Sequence, residues 1–378
     1  SNNGIITLTG KHSTAIYTKA GAKALNSGTA GNLISIGKNS AGMYTEGIDS
    51  LAQNDGNIII GEGSAGLYSS ASKSALTEAG TVNNGNITAQ EITPGIFSNS
   101  VTGIYITAGN EGYQKNGIIN FKGEGSTGIF NEGNFNMSGG TVSLQSLGGV
   151  AVYSKGQRAV TEISGGAIEV QDGSVALYAD NSTIKVSGGT FYIGAEGLLM
   201  YNYLSGGSAA LGQLNISNTP IAVINNGGMA FYVEGESLSG ISGILNNLVS
   251  TASTGTMFLN MKNGSSLLRW NKPVNTLILS GIPSVGTVNG IDHTTLTAPG
   301  TDYKEYSVNL GDLIIDKNIT LKFLGNAYDG VEMSRSKVTL AAGYTITDSQ
   351  DGQAAIAQTN YKKAVPSAGD INDIIITK

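Results

Sequence analysis

The sequence contains no cysteine, only two histidines and a single tryptophan among its 378 residues. The lack of cysteine excludes a disulfide framework, although it fits both the cytosol and a bacterial surface. Two histidines without cysteine leave transition-metal sites short of their usual ligands. No apolar run reaches the roughly 18 residues that a membrane-spanning helix requires. The chain therefore predicts neither a zinc-type centre nor a transmembrane helix.

Charge is also scarce, because charged residues make up 13% of the chain, about half of the roughly 25% usual in globular domains. The low charge argues against disorder driven by self-repulsion. The net charge is −6, and no basic stripe is present that could neutralise phosphates, so we expect no nucleic-acid partner. His12 fits an exposed turn and His293 a polar loop. We expect no metal ion or other cofactor and no catalytic site.

What the chain does have is a repeated phrase of glycine, serine, an aliphatic residue and an aromatic residue. The phrase occurs four times in a clear form, at 10–17, 37–44, 61–68 and 123–130. Looser copies end at Tyr153, Tyr178, Tyr201, Tyr232 and Phe258. Outside the disturbed stretch between Tyr68 and Phe130, the final aromatic residues lie 23 to 31 residues apart. A period of this length is typical of one structural unit stacked on itself.

A second phrase, a Gly or Asn turn followed by a short apolar run, lies between copies of the first. Examples are 31–36, 56–60 and 117–121. With 55 glycines, the chain would form helices only at a high cost, and short apolar runs between turns favour strands. We predict an all-β right-handed parallel β-helix of about 15 coils, since parallel crossovers are almost always right-handed. Residues 1–270 would form regular repeats, and 271–378 degenerate coils of the same solenoid with larger loops.

Strand alternation predicts which side chains of the phrase face the core. Val150 with Val152, Val175 with Leu177, Leu198 with Met200, and Met229 with Phe231 would form the inward aliphatic ladder. The aromatic residue has two interpretations. A bend after the aliphatic residue would pack the ring into a corner of the core, which is the favoured alternative. Strict alternation would instead place a column of tyrosines on the outside.

Two patterns resemble catalytic or nucleotide sites. The glycines at 61–66 and 123–128 match the spacing of dinucleotide-binding loops, but these segments are copies of the repeat phrase and lack a following helix. Stacked coils could also bring Glu162, Glu169 and Asp172 together near Arg158, as a polysaccharide-cleaving β-helix would require. A solvated ladder of turn residues is the favoured interpretation of these carboxylates.

Three phrases resemble the repeats of a known protein family. They are Gly-Glu-Gly-Ser-Ala-Gly-Leu-Tyr at 61–68, Gly-Glu-Gly-Ser-Thr-Gly-Ile-Phe at 123–130 and Asn-Gly-Ile-Ile-Asn-Phe at 116–121. Over residues 1–260 the repeat style resembles type V autotransporter passengers, above all the large outer-membrane adhesins of fusobacteria. The resemblance implies an extracellular β-helix on the bacterial surface, attached through a C-terminal outer-membrane barrel beyond this sequence. The chain would then be a passenger fragment and, we expect, a monomer. No catalytic residue is implied.

The expected function is that of an adhesin which binds a host-cell receptor, a glycan or a surface protein of a partner bacterium. Loops on a rigid scaffold usually carry recognition, so we expect binding where the repeat is interrupted, at 281–306, 91–113 and 234–255. Candidate partner-binding residues are Tyr303, Tyr306, Tyr113 and Trp270, although Trp270 also fits packing at a coil edge. Two alternatives remain: a passive stalk, and a β-helix polysaccharide lyase or hydrolase.

Overall fold

The computed structural model describes residues 1–235, apart from 75–77, 172, 205–212, 219 and 226–227, and beyond residue 235 only the backbone of individual strands. The chain divides into two compact units, Ser1–Phe191 and Tyr192–Lys378. The predicted boundary at residue 270 lies inside the second unit and stays a prediction.

Each coil of the first unit contains three strands, one in each of three parallel sheets. The first sheet consists of Ile5–Leu8, Leu33–Ile36, Asn57–Ile60, Asn86–Ala89, Ile118–Phe121, Thr141–Leu144 and Ala167–Val170. The second consists of Thr14–Lys19, Ala41–Glu46, Ala65–Ser70, Thr102–Ile106, Thr127–Asn131, Val150–Lys155 and Val175–Asp180. The third consists of Lys23–Asn26, Leu51–Asn54, Gly80–Asn83, Glu111–Gln114, Asn134–Met137, Val160–Ile163 and Thr183–Val186. A further strand, Thr190–Ile193, crosses the division between the units.

The register stacks equivalent residues of successive coils directly on one another. In the first sheet Ile6 pairs with Ile34, and Ile34 with Ile58. In the second sheet Tyr17 pairs with Tyr44, and Tyr44 with Tyr68. The sequence repeat is therefore a structural repeat, and the predicted all-β parallel solenoid is confirmed. Its right-handedness stays a prediction.

The first sheet supplies most of the aliphatic core. Its inward side chains are at most 1% exposed in six successive coils: Ile34, Ile58, Ile87, Ile119, Val142 and Ile168. Burying one such side chain contributes about 1.5–3 kcal/mol. Because the same position is apolar in every coil, the buried side chains form one continuous column.

The third sheet adds a buried column of a different kind, which we name the amide ladder: Asn26, Asn54, Asn83 and Gln114. All four side chains are fully buried. The Nδ2 of Asn26 donates to Oδ1 of Asn54 at 2.7 Å, and Asn54 donates in the same way to Asn83 at 2.8 Å. Asn83 donates to Oε1 of Gln114 at 2.9 Å. One coil further on, Met137 takes the same register position and ends the ladder.

The second sheet departs from strict alternation at the middle of the repeated phrase. Val152, Leu177 and Met200 are fully buried, as predicted, but Val150, Val175 and Leu198 are only half-buried. The intervening Ala151, Ala176 and Leu199 are fully buried instead. Two consecutive residues thus face inward, so the first half of the predicted ladder is wrong. Of the predicted pair at 229 and 231, Met229 is half-buried, and the side chain of Phe231 is not described.

The corners between the first and second sheets use a left-handed backbone, which Gly and Asn tolerate better than other residues. His12, Asn39 and Gly63 occupy this position in three successive coils, with φ of 56°, 50° and 68°. His12 is exposed, which confirms its interpretation as a turn residue.

One corner is interrupted by a hairpin. Glu91–Thr93 pairs antiparallel with Ile96–Phe97, and the short segment projects between the strands Asn86–Ala89 and Thr102–Ile106. We refer to 91–97 as the hairpin. The disturbed spacing that the sequence shows between Tyr68 and Phe130 therefore has a structural cause.

The second unit contains both parallel and antiparallel pairs. Parallel pairing joins Leu198–Leu204, Met229–Gly235, Ser266–Asn271, Tyr306–Asn309 and Val331–Glu332 in that order. It also joins Ile221–Ile224 to Phe258–Met261, and Leu277–Leu279 through Leu313–Ile315 to Val338–Leu340. The strand Gln213–Ile216 also belongs to this unit. Antiparallel pairing joins Ile319–Phe323, Asn372–Thr377, Thr345–Asp348 and Ala354–Ala355.

The solenoid has about eight turns in the part of the chain that can be described, so the predicted count of about 15 coils is wrong for that part. Long corners such as the hairpin consume residues without adding a coil, and the antiparallel pairs of 319–377 do not stack as coils. Within the described part of the chain there is no helix long and apolar enough to cross a membrane.

Candidate functional site

The aromatic residues of the repeated phrase form a column on the outer face of the second sheet. The aromatic column comprises seven residues of the first unit: Tyr17, Tyr44, Tyr68, Tyr105, Phe130, Tyr153 and Tyr178. Tyr17 is 49% exposed and the others are half-buried. Each ring is followed by a buried residue, such as Thr45 or Ser69, so alternation continues and the ring points outward. The favoured prediction of a ring packed into the core corner is wrong, and the external column is observed.

Neighbouring rings in the column contact one another, with centroids 4.5–5.3 Å apart. Tyr68, Tyr105 and Phe130 are stacked, with interplanar angles of 2° and 14°. Tyr44 is turned by 75° from Tyr68, and Tyr153 by 79° from Phe130. The three central rings therefore cover one another's faces, whereas Tyr44 meets Tyr68 in a T-shaped contact and lies tilted by 30° against Tyr17. In the second unit, Tyr201 and Tyr232 are stacked in the same way at 5.0 Å.

Two hydroxyls of the column have raised pKa values and a carboxylate beside them. Tyr17 donates a hydrogen bond to Oε2 of Glu46, and this bond raises the pKa of Tyr17 to about 12. Lys19 lies 3.6 Å from the other oxygen of Glu46. Burial, followed by the charge of Asp180, raises the pKa of Tyr153 to about 12. Tyr17 and Tyr153 should therefore stay protonated well above neutral pH.

Replacement of Glu46 by glutamine is expected to lower the pKa of Tyr17 from about 12 toward the ordinary value of about 10. In the folded wild type the raised pKa keeps the phenol protonated between these values, while the unfolded chain ionises from about 10. Stability is therefore present below pH 10 and is lost as the pH rises toward 12. NMR titration of labelled tyrosines measures the shift. Tyr153 serves as the internal control, because its carboxylate partner is Asp180. An unchanged Tyr17 titration would contradict the assignment.

A groove of about 530 Å³ lies beside the aromatic column at the corner between the first and second sheets. Tyr44, Tyr68 and Tyr105 line one side. The left-handed corner residues His12, Asn39 and Gly63 line the other. We name this feature the corner groove. Its volume falls in the range of about 300–1,000 Å³ that small-molecule sites occupy.

The hairpin projects from the same kind of corner, one coil beyond Gly63. Ile92 and Ile96 are 59% and 61% exposed, and Pro94 between them is exposed as well. Its turn is fixed where the amide of Gly95 donates to Oε1 of Glu91 at 2.8 Å. The hairpin is thus a short, apolar, well-anchored projection from an otherwise regular surface.

The base of the hairpin is closed by its own backbone and tied to the following coil. Ser98 donates from its amide to the carbonyl of Gln90 at 2.8 Å. Oδ1 of Asn99 accepts from the amide of Glu124 at 2.9 Å, and Nζ of Lys122 lies 5.4 Å from the ring of Phe97. These contacts hold the projection in one place on the scaffold.

Of the four predicted partner-binding residues, only Tyr113 has a described side chain. It is half-buried on the third sheet, where its hydroxyl donates to Oε2 of Glu111 at 3.3 Å. Burial is the main cause that raises its pKa. Lys73 contacts the same carboxylate at 3.5 Å, and Lys115 lies over the ring at 5.7 Å. Tyr113 therefore belongs to a compact ion-pair cluster rather than to the hairpin or the corner groove.

The other three residues lie in the second unit. Trp270 is in the strand Ser266–Asn271 in register with Val233, and Tyr306 begins the strand Tyr306–Asn309. Tyr303 and the predicted loops 281–306 and 234–255 lie outside the described residues, apart from the strand ends at 234–235 and 306. The predicted loop 91–113 contains the hairpin, so it is the one interruption whose geometry is visible.

The carboxylates considered for polysaccharide cleavage are on different sheets. Glu162 is on the outer face of the third sheet and pairs with Nζ of Lys185 at 2.9 Å. Glu169 is on the outer face of the first sheet, and Asp172 is not described. Among the described residues, no group of three or more His, Asp or Glu side chains could hold a metal ion.

Sequence reasoning located the hairpin only as a break in the repeat. A sharper signal was present, since Pro94-Gly95 between Ile92 and Ile96 is a turn dipeptide flanked by strand-forming residues. The corner groove was missed, because each copy of the phrase contributes only two to four of its lining residues. It becomes visible once three coils are stacked.

Comparison with models of known protein families, with curated proteins and with solved structures finds no match in any of the three. The candidate function therefore rests on the geometry of this chain.

Proposed function

We propose that this chain is a surface-displayed adhesin, a passenger fragment of the autotransporter type, that attaches to host cells or partner bacteria through the hairpin. The observation that carries the proposal is the pair of exposed isoleucines, Ile92 and Ile96, on a projection anchored to a solenoid. The proposed location is the outer surface of a bacterium. The resemblance of the repeat phrases supports the same assignment.

The chemistry of the hairpin supports recognition rather than solenoid stability. The tip residues Ile92, Pro94 and Ile96 are all exposed, so they contribute little to the core of the coil from which they project. Exposed apolar groups on an anchored loop are suited to a partner that covers them, and burial on binding would provide the driving force. The anchored base lowers the entropy that must be lost on binding.

Replacing both Ile92 and Ile96 by serine is expected to lower attachment at least tenfold, because the apolar contact with the partner is lost. The measurement is binding of the labelled chain to cultured epithelial cells and to a panel of bacteria. A matched control replaces Ile48 and Leu147 by serine, which are 63% and 58% exposed elsewhere on the surface. The control is expected to bind like the wild type.

Three outcomes would count against the proposal. Equal binding of the hairpin variant and the wild type would mean that another surface is responsible for attachment. Absence of binding to every cell type, with both proteins folded, would favour the alternative of a passive stalk. Turnover of a polysaccharide panel would favour the enzymatic alternative.

A further inference from the structure

The corner between the third sheet and the first differs in length between two successive coils. Asn84 and Gly85 alone form it in one coil. In the next coil it is one residue longer and ends in Asn116 and Gly117. The strands that follow the two corners are paired in register. The same Asn-Gly dipeptide is therefore present at one corner of the solenoid in two different surroundings.

An Asn-Gly pair can modify itself without an enzyme. The backbone nitrogen of the glycine loses its proton and attacks Cγ of the asparagine, and the bond from Cγ to Nδ2 breaks. The proton passes through water to the leaving NH2 group, which departs as ammonia, and a five-membered succinimide ring remains. Water opens this ring at either carbonyl and gives aspartate or isoaspartate. Glycine favours the reaction because it has no Cβ to hinder ring closure.

The shorter corner holds both groups that would have to react. Nδ2 of Asn84 donates to Oδ1 of Asp55 at 2.8 Å. The amide of Gly85 donates to the carbonyl of Asn54 at 2.9 Å, and Gly85 is buried. Reaction at Asn84 therefore requires these bonds to open first, which protects this pair in the folded chain.

The longer corner leaves both reacting groups unengaged. The amides of Lys115 and Asn116 both donate to the carbonyl of Asn83, at 3.0 and 3.3 Å. Within the part of the chain that the structure describes, neither the amide of Gly117 nor the side chain of Asn116 has a hydrogen-bond partner. Asn116 is also exposed to water. The glycine nitrogen and the asparagine Cγ are thus free to approach each other at this corner.

A side-chain amide next to the longer corner assists the first step. Nε2 of Gln114 donates to the carbonyl oxygen of Asn116 at 2.6 Å. This oxygen belongs to the peptide bond that contains the N–H of Gly117. Loss of that proton places negative charge on the oxygen, and a hydrogen bond to the charged form favours it. The contact therefore makes the glycine nitrogen a better nucleophile.

Another Asn-Gly pair among the described residues, Asn3-Gly4, is exposed but engaged. The amide of Gly4 donates to Oδ1 of Asn2 at 3.2 Å. Oδ1 of Asn3 accepts from the hydroxyl of Ser1 at 3.1 Å. Of these three described pairs, only the one in the longer corner has both its nucleophile and its target unengaged.

We propose that the pair Asn116-Gly117 is a site of spontaneous modification, at which the folded chain converts Asn116 to aspartate and isoaspartate. Either product adds one negative charge to an exposed corner, and isoaspartate also lengthens the backbone by one carbon atom. The inference is independent of the hairpin, so attachment and modification can fail separately.

The test incubates the whole chain at mildly alkaline pH, once folded and once in denaturant, and follows each Asn-Gly peptide by mass spectrometry. Deamidation raises the mass of a peptide by about 1 Da, and electron-transfer fragmentation identifies isoaspartate. In denaturant, Asn84 and Asn116 should react at rates within about threefold of each other, because no structure protects either pair. In the folded chain Asn116 should react at least about tenfold faster than Asn84, because only Asn84 must wait for local opening.

Asn116→Gln is the matched control for the assignment. Glutamine keeps the side-chain amide, but its longer chain cannot close the five-membered ring, so the modification of this peptide should disappear. Equal rates at Asn84 and Asn116 in the folded chain would overturn the proposal. So would an unmodified Asn116 after the denatured chain has reacted, or a rate at Asn116 that does not rise with pH, since the nucleophile is the deprotonated amide.

Discussion

Replacing Asn54 by alanine is expected to lower the free energy of unfolding by about 3 kcal/mol, which would be a large effect for one polar residue. Asn54 is fully buried, donates to Asn83 at 2.8 Å and accepts from Asn26 at 2.7 Å. Its removal leaves one buried donor and one buried acceptor without this partner. Each unsatisfied buried polar group costs about 1–3 kcal/mol. Denaturant unfolding of the two proteins gives the difference.

The matched control is Asn86→Ala. Asn86 also donates to an asparagine in the neighbouring coil, Oδ1 of Asn57 at 3.0 Å, but this pair is exposed. Water can replace the lost partner, so the expected change is within about 0.5 kcal/mol. Similar losses in the two variants would show that burial does not strengthen the amide ladder.

A variant in which aliphatic residues replace all four amides of the amide ladder tests whether the cost of a single replacement comes from the amides left without a partner. Such a variant removes the donors and acceptors of the ladder together, so no ladder amide is left unsatisfied, and Met137, Ile163 and Val186 already occupy this register in later coils. Its loss of stability should be smaller than the sum of the four single alanine replacements. An additive result would contradict the view that the ladder acts as one network.

The sequence predicts the solenoid well because periodicity is a property of many coils at once. A single copy of the phrase, such as the one ending at Tyr44, does not predict a fold. The common spacing of several copies does predict that Tyr44 stacks with Tyr17 and Tyr68. The amide ladder was not predicted, although Asn26, Asn54 and Asn83 all stand two residues before a glycine. An asparagine in that position is typical of a turn. Its burial depends on another asparagine in the next coil, which one repeat cannot show.

The orientation of the aromatic column also could not be predicted from the sequence. Its outward position depends on two consecutive inward residues, such as Gly66 and Leu67, within one short strand. Strict alternation and a bend after the aliphatic residue both fitted the phrase. The departure from alternation occurs one residue earlier, where a residue such as Gly66, Ala151 or Leu199 faces the core next to the aliphatic residue. The corner groove follows from the same local geometry, since it lies where that strand meets the left-handed corner.

Some glycines of the chain allow close packing between sheets, and others allow a left-handed backbone. Gly103 belongs to the first kind, and replacing it by valine is expected to destabilise the first unit by about 3 kcal/mol. Gly103 lacks a positive φ, so conformation does not require glycine there. A Cβ atom at this position would lie 2.5 Å from the carbonyl oxygen of Gly128 and 2.8 Å from Cγ2 of Ile119. The carbonyl oxygen of Gly128 cannot move aside without breaking the backbone hydrogen bonds of the second sheet. Thermal and denaturant unfolding measure the loss.

Gly109 provides the contrasting control, because it has open space around it and a φ of +76°. Alanine at 109 should cost about 1 kcal/mol from the left-handed backbone alone. Alanine at 103 should cost more, and part of that loss should be recovered when Ile119 is also replaced by alanine. Equal costs at the two positions would mean that backbone conformation, rather than the narrow space between sheets, requires glycine in the phrase. Ala151 and Ala176 are fully buried and show that later coils have room for one methyl group at this register, so the requirement for glycine is local to the earlier coils.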